Sequence, residues 1–227
     1  MATGKLIVFE GIDGSGKSTQ FKLLTDRLKA EGRDFRQVTF PRYANSSSAL
    51  LRSYLNGEFA QNPEDVSAYA ASTFFFVDRY ASYKTDWGAY YQNGGLVLCD
   101  RYTTSNAIHQ GAKLPRAELP AFLDWLYDFE FDKMELPKPD TVLYMDTTLE
   151  ACLAQMARRQ SETQTHGDIH ETHTDYLRAC LETGAYAADH LGWQKIRCTE
   201  GGAVRPIADI QEDIYKVVKG VLDGWYI

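Results

Sequence analysis

An α/β fold, with a parallel sheet of roughly five strands covered by helices on both faces, is what three features of this sequence predict. Short apolar runs recur along the chain. Stretches with helical spacing separate them, and the first run leads straight into the glycine-rich GIDGSGKSTQ that starts at Gly11. Strands buried on both faces read as near-continuous apolar runs, and these do. At 227 residues the chain suits one domain, spanning 1–227, with a sizeable core.

The elements follow in order. KLIVFE (Lys5 to Glu10) is the first strand and ends at the glycine loop. From Ser18 the pattern turns helical, with Phe21, Leu24 and Leu28 on one face and Gly32 as the stop. RQVTF (Arg36 to Phe40) reads as a second strand. Asn62-Pro63-Glu64-Asp65 has the chemistry of a helix start, with a cap residue, a proline in the first turn and acids near the positive dipole end. That helix is expected to run past Arg79. LVLC (Leu96 to Cys99) and TVLYM (Thr141 to Met145) are the third and fourth strands, and KIRC (Lys195 to Cys198) is a weaker fifth. Gln160 to Thr174 is polar and poor in large apolar side chains, so a mobile lid of about 158–174 is expected between two helices. No repeat or linker divides the chain.

Composition narrows the function classes. Hydrophobic residues make up 44% and charged residues 24%, as in ordinary soluble globular proteins. No apolar run is long enough to cross a bilayer, and MATGKLIVFE lacks the features of a signal peptide. Cys99, Cys152, Cys180 and Cys198 are scattered without a C-x-x-C pair, which suits reduced thiols in a cytoplasmic protein. The net charge of −7 repels nucleic acid on average, whereas a small anion needs only a few placed cations.

Gly11, Gly16, Lys17 and Ser18 fit G-x-x-x-x-G-K-[ST], a loop that wraps phosphate. Backbone N–H groups from Gly14 to Ser18 are expected to face a β-phosphate at the positive end of the following helix. Lys17 is expected to reach the β- and γ-phosphates, and the Ser18 hydroxyl to bind Mg²⁺. A ligand-free glycine turn is the bland alternative, and the strand–loop–helix context argues against it. LVLCDRY places Asp100 at the end of a buried strand, where an acidic partner for Mg²⁺ sits in such folds. A surface salt bridge between Asp100 and Arg101 fits the same residues. Motor ATPases more often follow the first acid with a second, while Arg101 suits the anion of a second substrate. A guanine-binding N-K-x-D motif does not occur. Phe75 and Arg79 are four apart and share a helix face, able to cover a flat base and grip an oxygen. Periodicity alone favours Phe74, Phe75 and Phe76 being simply core.

FEGIDGSGKSTQ, then FPR at Phe40 to Arg42, FFFVDR ending at Arg79, DRYTTSNAIHQG at Asp100 to Gly111, and LPKPD at Leu136 to Asp140 together resemble thymidylate kinase, a P-loop kinase family. The resemblance covers most of the chain, and it implies a P-loop NTPase fold, ATP with Mg²⁺ as donor, dTMP as acceptor and a homodimer. It implies an ATP-binding set of Gly11, Asp13, Gly14, Ser15, Gly16, Lys17, Ser18 and Thr19, with Ser18 and Asp100 on the metal. Asp13 matches an aspartate near the deoxyribose 3′-hydroxyl. Arg42 and Arg101 match arginines that hold the acceptor phosphate. Phe75 matches the ring that stacks on thymine, Arg79 the arginine on its carbonyl, and Ser105 and Asn106 the readers of the pyrimidine edge. His109 falls where relatives often have Tyr or Phe against the sugar.

Some relatives carry an arginine in the phosphate loop where this chain has Gly14. The resemblance therefore implies that the transferring cation comes from the lid, from Arg158 and Arg159, while Gln155 stands where relatives often have another arginine. Solvated helix-end cations are the alternative for that pair. His166, His170 and His173 do not form H-E-x-x-H, so a metal site is not expected there. Tyr176 and Arg178 are assigned to the inner face of the next helix. A kinase of the same fold for another nucleotide or a deoxynucleoside is the nearest rival, and a nucleotide-binding regulator without turnover is a second.

Overall fold

The computed structural model describes residues 4–60, 62, 65–163 and 174–224, the side chains of 159–163 excepted. Five strands, β1 (Lys5–Glu10), β2 (Arg36–Thr39), β3 (Leu96–Asp100), β4 (Thr141–Asp146) and β5 (Gln194–Arg197), form one sheet in the order β2-β3-β1-β4-β5. Every pairing in it is parallel. All five predicted strands occur within a residue or so of their expected bounds. A small antiparallel pair, β6 (Thr199–Glu200) with β7 (Ala203–Val204), was not expected.

Side-chain alternation along β1 splits the core in two. Ile7 and Phe9 point to one face, where Phe21, Leu24 and Leu28 of α1 (Lys17–Ala30) meet Ile210, Ile214 and Val218 of α9 (Ile207–Leu222). Phe9 and Phe21 meet edge to face, with centroids 5.2 Å apart. Leu6 and Val8 point to the other face, into a larger cluster with α3 (Ala68–Ser82), α5 (Thr103–His109), α6 (Leu119–Tyr127) and α8 (Thr174–Leu191). Burial of each such Leu, Ile or Phe contributes about 1.5–3 kcal/mol, which holds the layers together. The shorter helix α4 (Gly88–Gln92) adds Tyr90 and Tyr91 to the larger face, α2 (Ala49–Leu55) packs on α3, and α7 (Leu149–Thr163) lies against the phosphate loop.

Two boundaries follow the expected physics at particular residues. Gly32 ends α1 in the left-handed region, φ 71°, donating to Lys29 O at 3.0 Å. The helix that carries Phe75 and Arg79 begins at Ala68, later than the Asn62 start that the sequence suggested. Ser67 is the cap, its Oγ accepting from Ala70 N at 3.1 Å. Asn62 instead donates to the Asp65 carboxylate at 3.2 Å, and Pro63 and Glu64 lie outside the described residues.

The register aligns Phe9 with Asp100, and Asp100 with Thr39. The carboxyl ends of β1, β2 and β3 therefore open on one crevice. It lies beside the point where the connection from β1 runs to one side, toward β2, and that from β4 to the other, toward β5, a place where open α/β sheets bind ligands.

Candidate active site

The loop after β1 folds tightly because its glycines permit it. Gly14 has φ 78°, and a side chain there would run into the Cys152 carbonyl of α7, with Met156 Cγ only 2.9 Å away. No arginine fits at this position. Gly16, φ 82°, turns the chain into α1, and Gln20 N bonds Gly16 O at 3.1 Å. Lys17 is buried at the start of that helix and ion-paired with Asp100 at the end of β3. Burial pulls the Lys17 amine below its ordinary value and Arg101 adds to this, outweighing Asp100 and Glu10.

Arg101 stands at φ 66°, a left-handed conformation uncommon outside glycine, with its N–H on Phe9 O at 3.0 Å. Its guanidinium donates to Asp13 at 2.8 Å and lies 3.8 Å from Glu10. Burial works against its charge, yet Asp13, Glu10, Asp100 and Tyr43 hold it above its ordinary value. Arg101 Nη1 also lies 3.0 Å from His109 Nε2. A guanidinium only donates, so that nitrogen accepts, and the imidazole proton sits on Nδ1, 3.6 Å from Cys180 Sγ.

Glu10 is wholly buried and was not singled out from sequence. It accepts from Gly11 N at 3.1 Å, Thr104 Oγ1 at 2.8 Å and Ser105 Oγ at 2.9 Å. Burial pushes its carboxyl up, more than Arg101, Lys17, Thr104 and Gly11 draw it down. The signal available was an acid closing a buried strand directly before the phosphate loop.

Lys17, Asp100, Arg101, Asp13 and His109, though not Glu10, line a cleft of about 420 Å³, within the range of small-molecule sites. Lys17, Asp100, Arg101, Asp13 and Ser105 in this lining are tied together by the contacts above, directly or through Glu10, and Ser18 lines it beside Lys17. Phe75, Arg79, Asn106 and His109 belong to the same lining, so the structure brings together most of the residues expected on the acceptor side. Ser105 lines the cleft with its hydroxyl donated to Glu10. Tyr43, Gln110 and Tyr176 line it as well. Gln110 Oε1 is buried without a partner among the described residues, an acceptor open to a ligand. A second cleft of about 350 Å³ adjoins the first. Ile12 to Thr19, Gln155, Met156, Arg158 and Ile207 line it, and the two share Asp13, Lys17 and Ser18.

Arg42 lies elsewhere. Its guanidinium donates to Ser82 Oγ at 2.8 Å and sits 3.4 Å from Asp86, and the Asn45 amide oxygen accepts from its Nε and Nη2 at 2.7 and 2.9 Å. Its backbone N–H bonds the buried Asp78 carboxylate at 2.7 Å, which fixes the turn after β2. The neighbouring Tyr43, not Arg42, is in the lining of the larger cleft. Arg178, assigned to an inner face, is exposed. The side chain of Arg159 lies outside the described residues, as do His166, His170, His173 and most of the expected lid. Among the described residues no group of three or more His, Cys, Asp or Glu could hold a metal, and the four cysteines are free and buried.

At the far end Arg79, almost fully buried, turns the Nε and Nη2 edge of its guanidinium onto Glu130, which is wholly buried. The pair is held by Thr103 and Asn106 of α5, which also bond this carboxylate.

The family model for thymidylate kinase matches residues 9–188. The thymidylate kinase of Mycobacterium tuberculosis is 32% identical over 194 residues, covering 83% of this chain and 87% of the relative. That of Ruegeria pomeroyi is 30% identical over 167 residues, 74% of each chain. A solved thymidylate kinase from Candida albicans shares the fold, with a TM-score of 0.68 at 21% identity, covering 96% of this chain and 92% of that one.

Proposed function

The chain belongs to the thymidylate kinase family, and we propose that it transfers the γ-phosphoryl group of ATP to dTMP, giving dTDP and ADP. The observation that carries this reading is two clefts meeting at one lysine. The glycine loop lines the smaller and a base-sized pocket with Arg101 and Arg79 forms the larger, with Lys17 common to both.

ATP occupies the smaller cleft, its β- and γ-phosphates on the loop N–H groups and Lys17. The acceptor occupies the larger, with its phosphate toward Arg101 and its base between Phe75, Arg79 and Asn106. An oxygen of the dTMP phosphate attacks the γ-phosphorus in line, and the bond from that phosphorus to the β-bridging oxygen breaks. With a second pKa of about 6, this nucleophile is already ionised at neutral pH, so no general base is required. Positioning and neutralisation of the moving charge are the whole task.

Arg101 grips the acceptor phosphate, and Arg42 reaches the same end on release from Ser82 and Asp86. Asp13 passes from Arg101 to the deoxyribose. The filled space at Gly14 supports a cation from α7 instead of the loop: Arg158 lines the donor cleft, and Arg159 is the next residue. Ser18 and Asp100 line the cleft with hard oxygen donors of the kind Mg²⁺ takes. That ion, when bound, neutralises phosphate charge.

The exposed Tyr69, Val77 and Tyr80 on the outer face of α3 support a homodimer. A cytoplasmic setting fits the free cysteines, and no helix among the described residues is long and apolar enough to cross a membrane.

ADP formation from Mg·ATP should be measured with dTMP, dUMP, UMP, dCMP, dGMP and thymidine offered separately, for wild type and Arg159→Ala. Preference for dTMP is expected, with Arg159→Ala losing kcat far more than nucleotide affinity. Turnover of thymidine or a purine monophosphate ahead of dTMP would refute the acceptor assignment, and no turnover at all would refute the kinase reading.

A further inference from the structure

We infer that Glu130 is a positioning residue that sets which base the acceptor cleft takes, by fixing Arg79 as a donor and Asn106 as an acceptor toward it. The inference rests on the dTMP kinase reading and names what enforces its base choice.

Glu130 sits on the π-helical segment Asp128–Lys133 that continues α6, and it is wholly buried. A buried carboxylate needs donors on both oxygens. Oε2 accepts from Arg79 Nε at 2.8 Å and Thr103 Oγ1 at 2.6 Å. Oε1 accepts from Arg79 Nη2 and from Asn106 Nδ2 at 3.4 Å. Three residues from two helices thus converge on one side chain that itself stays out of the cleft lining.

Each contact leaves a definite atom over. With its Nε and Nη2 edge on Glu130, Arg79 has a fixed guanidinium plane, and Nη1 bonds no other described residue. Asn106 Nδ2 also donates to Ser72 O at 3.2 Å. Its amide nitrogen is therefore engaged twice, and Oδ1 is the atom without a donor among the described residues. Arg79 and Asn106 both line the cleft. A fixed donor beside a fixed acceptor matches a ring carbonyl next to a ring N–H, the C4 carbonyl and N3–H of thymine or uracil. Cytosine presents the reverse, an amino group and a bare nitrogen, so both contacts fail at once. The ring methyl is not involved, so dTMP and dUMP are treated alike by this device.

Glu130→Gln keeps the shape, but its amide oxygen can serve only two of the four donors while its NH₂ opposes the other two, so Arg79 and Asn106 are no longer fixed together. The test is steady-state kinetics with dTMP, dUMP and dCMP. The KM for dTMP should rise, and the dTMP-to-dCMP ratio of kcat/KM should fall, each about tenfold or more. The KM for ATP and the dTMP-to-dUMP ratio should stay within about twofold. Thr103→Val removes one donor from Glu130 without entering the cleft, and should shift the dTMP-to-dCMP ratio in the same direction by less. An unchanged ratio in Glu130→Gln, or equal losses for ATP and every acceptor, would overturn the inference. Should Glu130→Gln not fold, the Thr103→Val ratio decides: a fall supports the inference and no change overturns it. If wild type itself shows no preference for dTMP over dCMP, the functional reading fails first.

Discussion

Gly14→Ala tests how closely α7 lies on the phosphate loop, with Gly16→Ala as its control. Both glycines have φ near 80°, 78° and 82°, so an alanine at either takes on the left-handed backbone cost of roughly 1–2 kcal/mol. The surroundings differ. A Cβ at Gly16 meets nothing within 4 Å. At Gly14 it strikes the Cys152 carbonyl, with the carbonyl carbon and Met156 Cγ both at 2.9 Å. Met156 can swing aside, but a backbone carbonyl inside a helix cannot, so α7 has to back away. Overpacking of this kind costs a further 1–3 kcal/mol or so. The assay is urea denaturation of both variants without nucleotide, checked by thermal melting. Gly14→Ala should be less stable than Gly16→Ala by about 1–3 kcal/mol, or some 2–12 °C for a chain of this size. Because α7 carries Arg158 and Arg159, kcat should fall as well. Equal stabilities in the two variants would refute the close packing, and with it the reason no arginine can stand at position 14.

Two further outcomes follow from the site. Arg101→Ala should raise the KM for dTMP about tenfold more than Arg42→Ala does, because Arg101 lines the cleft while Ser82 and Asp86 hold Arg42 beside it; an equal or larger effect at Arg42, in the same steady-state assay, would reverse the assignment. Burial raises the Glu10 carboxyl above its ordinary value of 4.5, so between the unfolded and folded pKa the folded state binds the extra proton. The stability linked to this group is then fully present below the unfolded pKa and lost as pH rises through the folded one. The Tm of wild type minus that of Glu10→Gln should therefore fall as pH rises from about 4, and a difference that rises instead would show the opposite shift.

What was legible in the sequence was local. Strand, loop and helix around Gly11 to Leu28 follow from neighbouring residues, and the phosphate motif is contiguous, so fold and donor loop could be read directly. The helix start shows the limit of such rules. Asn62 and Ser67 both carry cap chemistry, and the choice fell to Ser67, where a buried stripe of Ala68, Ala71, Ser72, Phe76 and Arg79 begins. Glu130 shows it more sharply. It lies 51 residues from Arg79, in a run of mixed acids and aromatics, and only the π-helical turn brings it inward. Tyr43 and Arg42 are adjacent, and the buried Asp78 carboxylate on the Arg42 N–H decides the turn that separates them. Nothing in F-P-R-Y states that.

The three cations of the cleft show how burial of a counter-ion divides like charges between tasks. Lys17 is paired with Asp100, Arg101 with Asp13 and Arg79 with Glu130. The Asp13 side chain is 31% exposed and Asp100 14%, whereas Glu130 is 0%. A carboxylate that loses its cation must regain water or another donor, or the desolvation cost stays unmatched. Asp13 and Asp100 border the cleft and can do so, through a sugar hydroxyl, a metal ion or solvent. Phosphate can therefore displace them from Arg101 and Lys17, exchanging one anion for another at modest net cost. Glu130 has no such recourse, so Arg79 cannot leave it for a phosphate, which suits the base-binding role proposed for it. Wholly buried Glu10 also lies near Arg101, but Gly11, Thr104 and Ser105 satisfy it, so on the proposed reading Arg101 is released to phosphate while Arg79 stays with the pyrimidine.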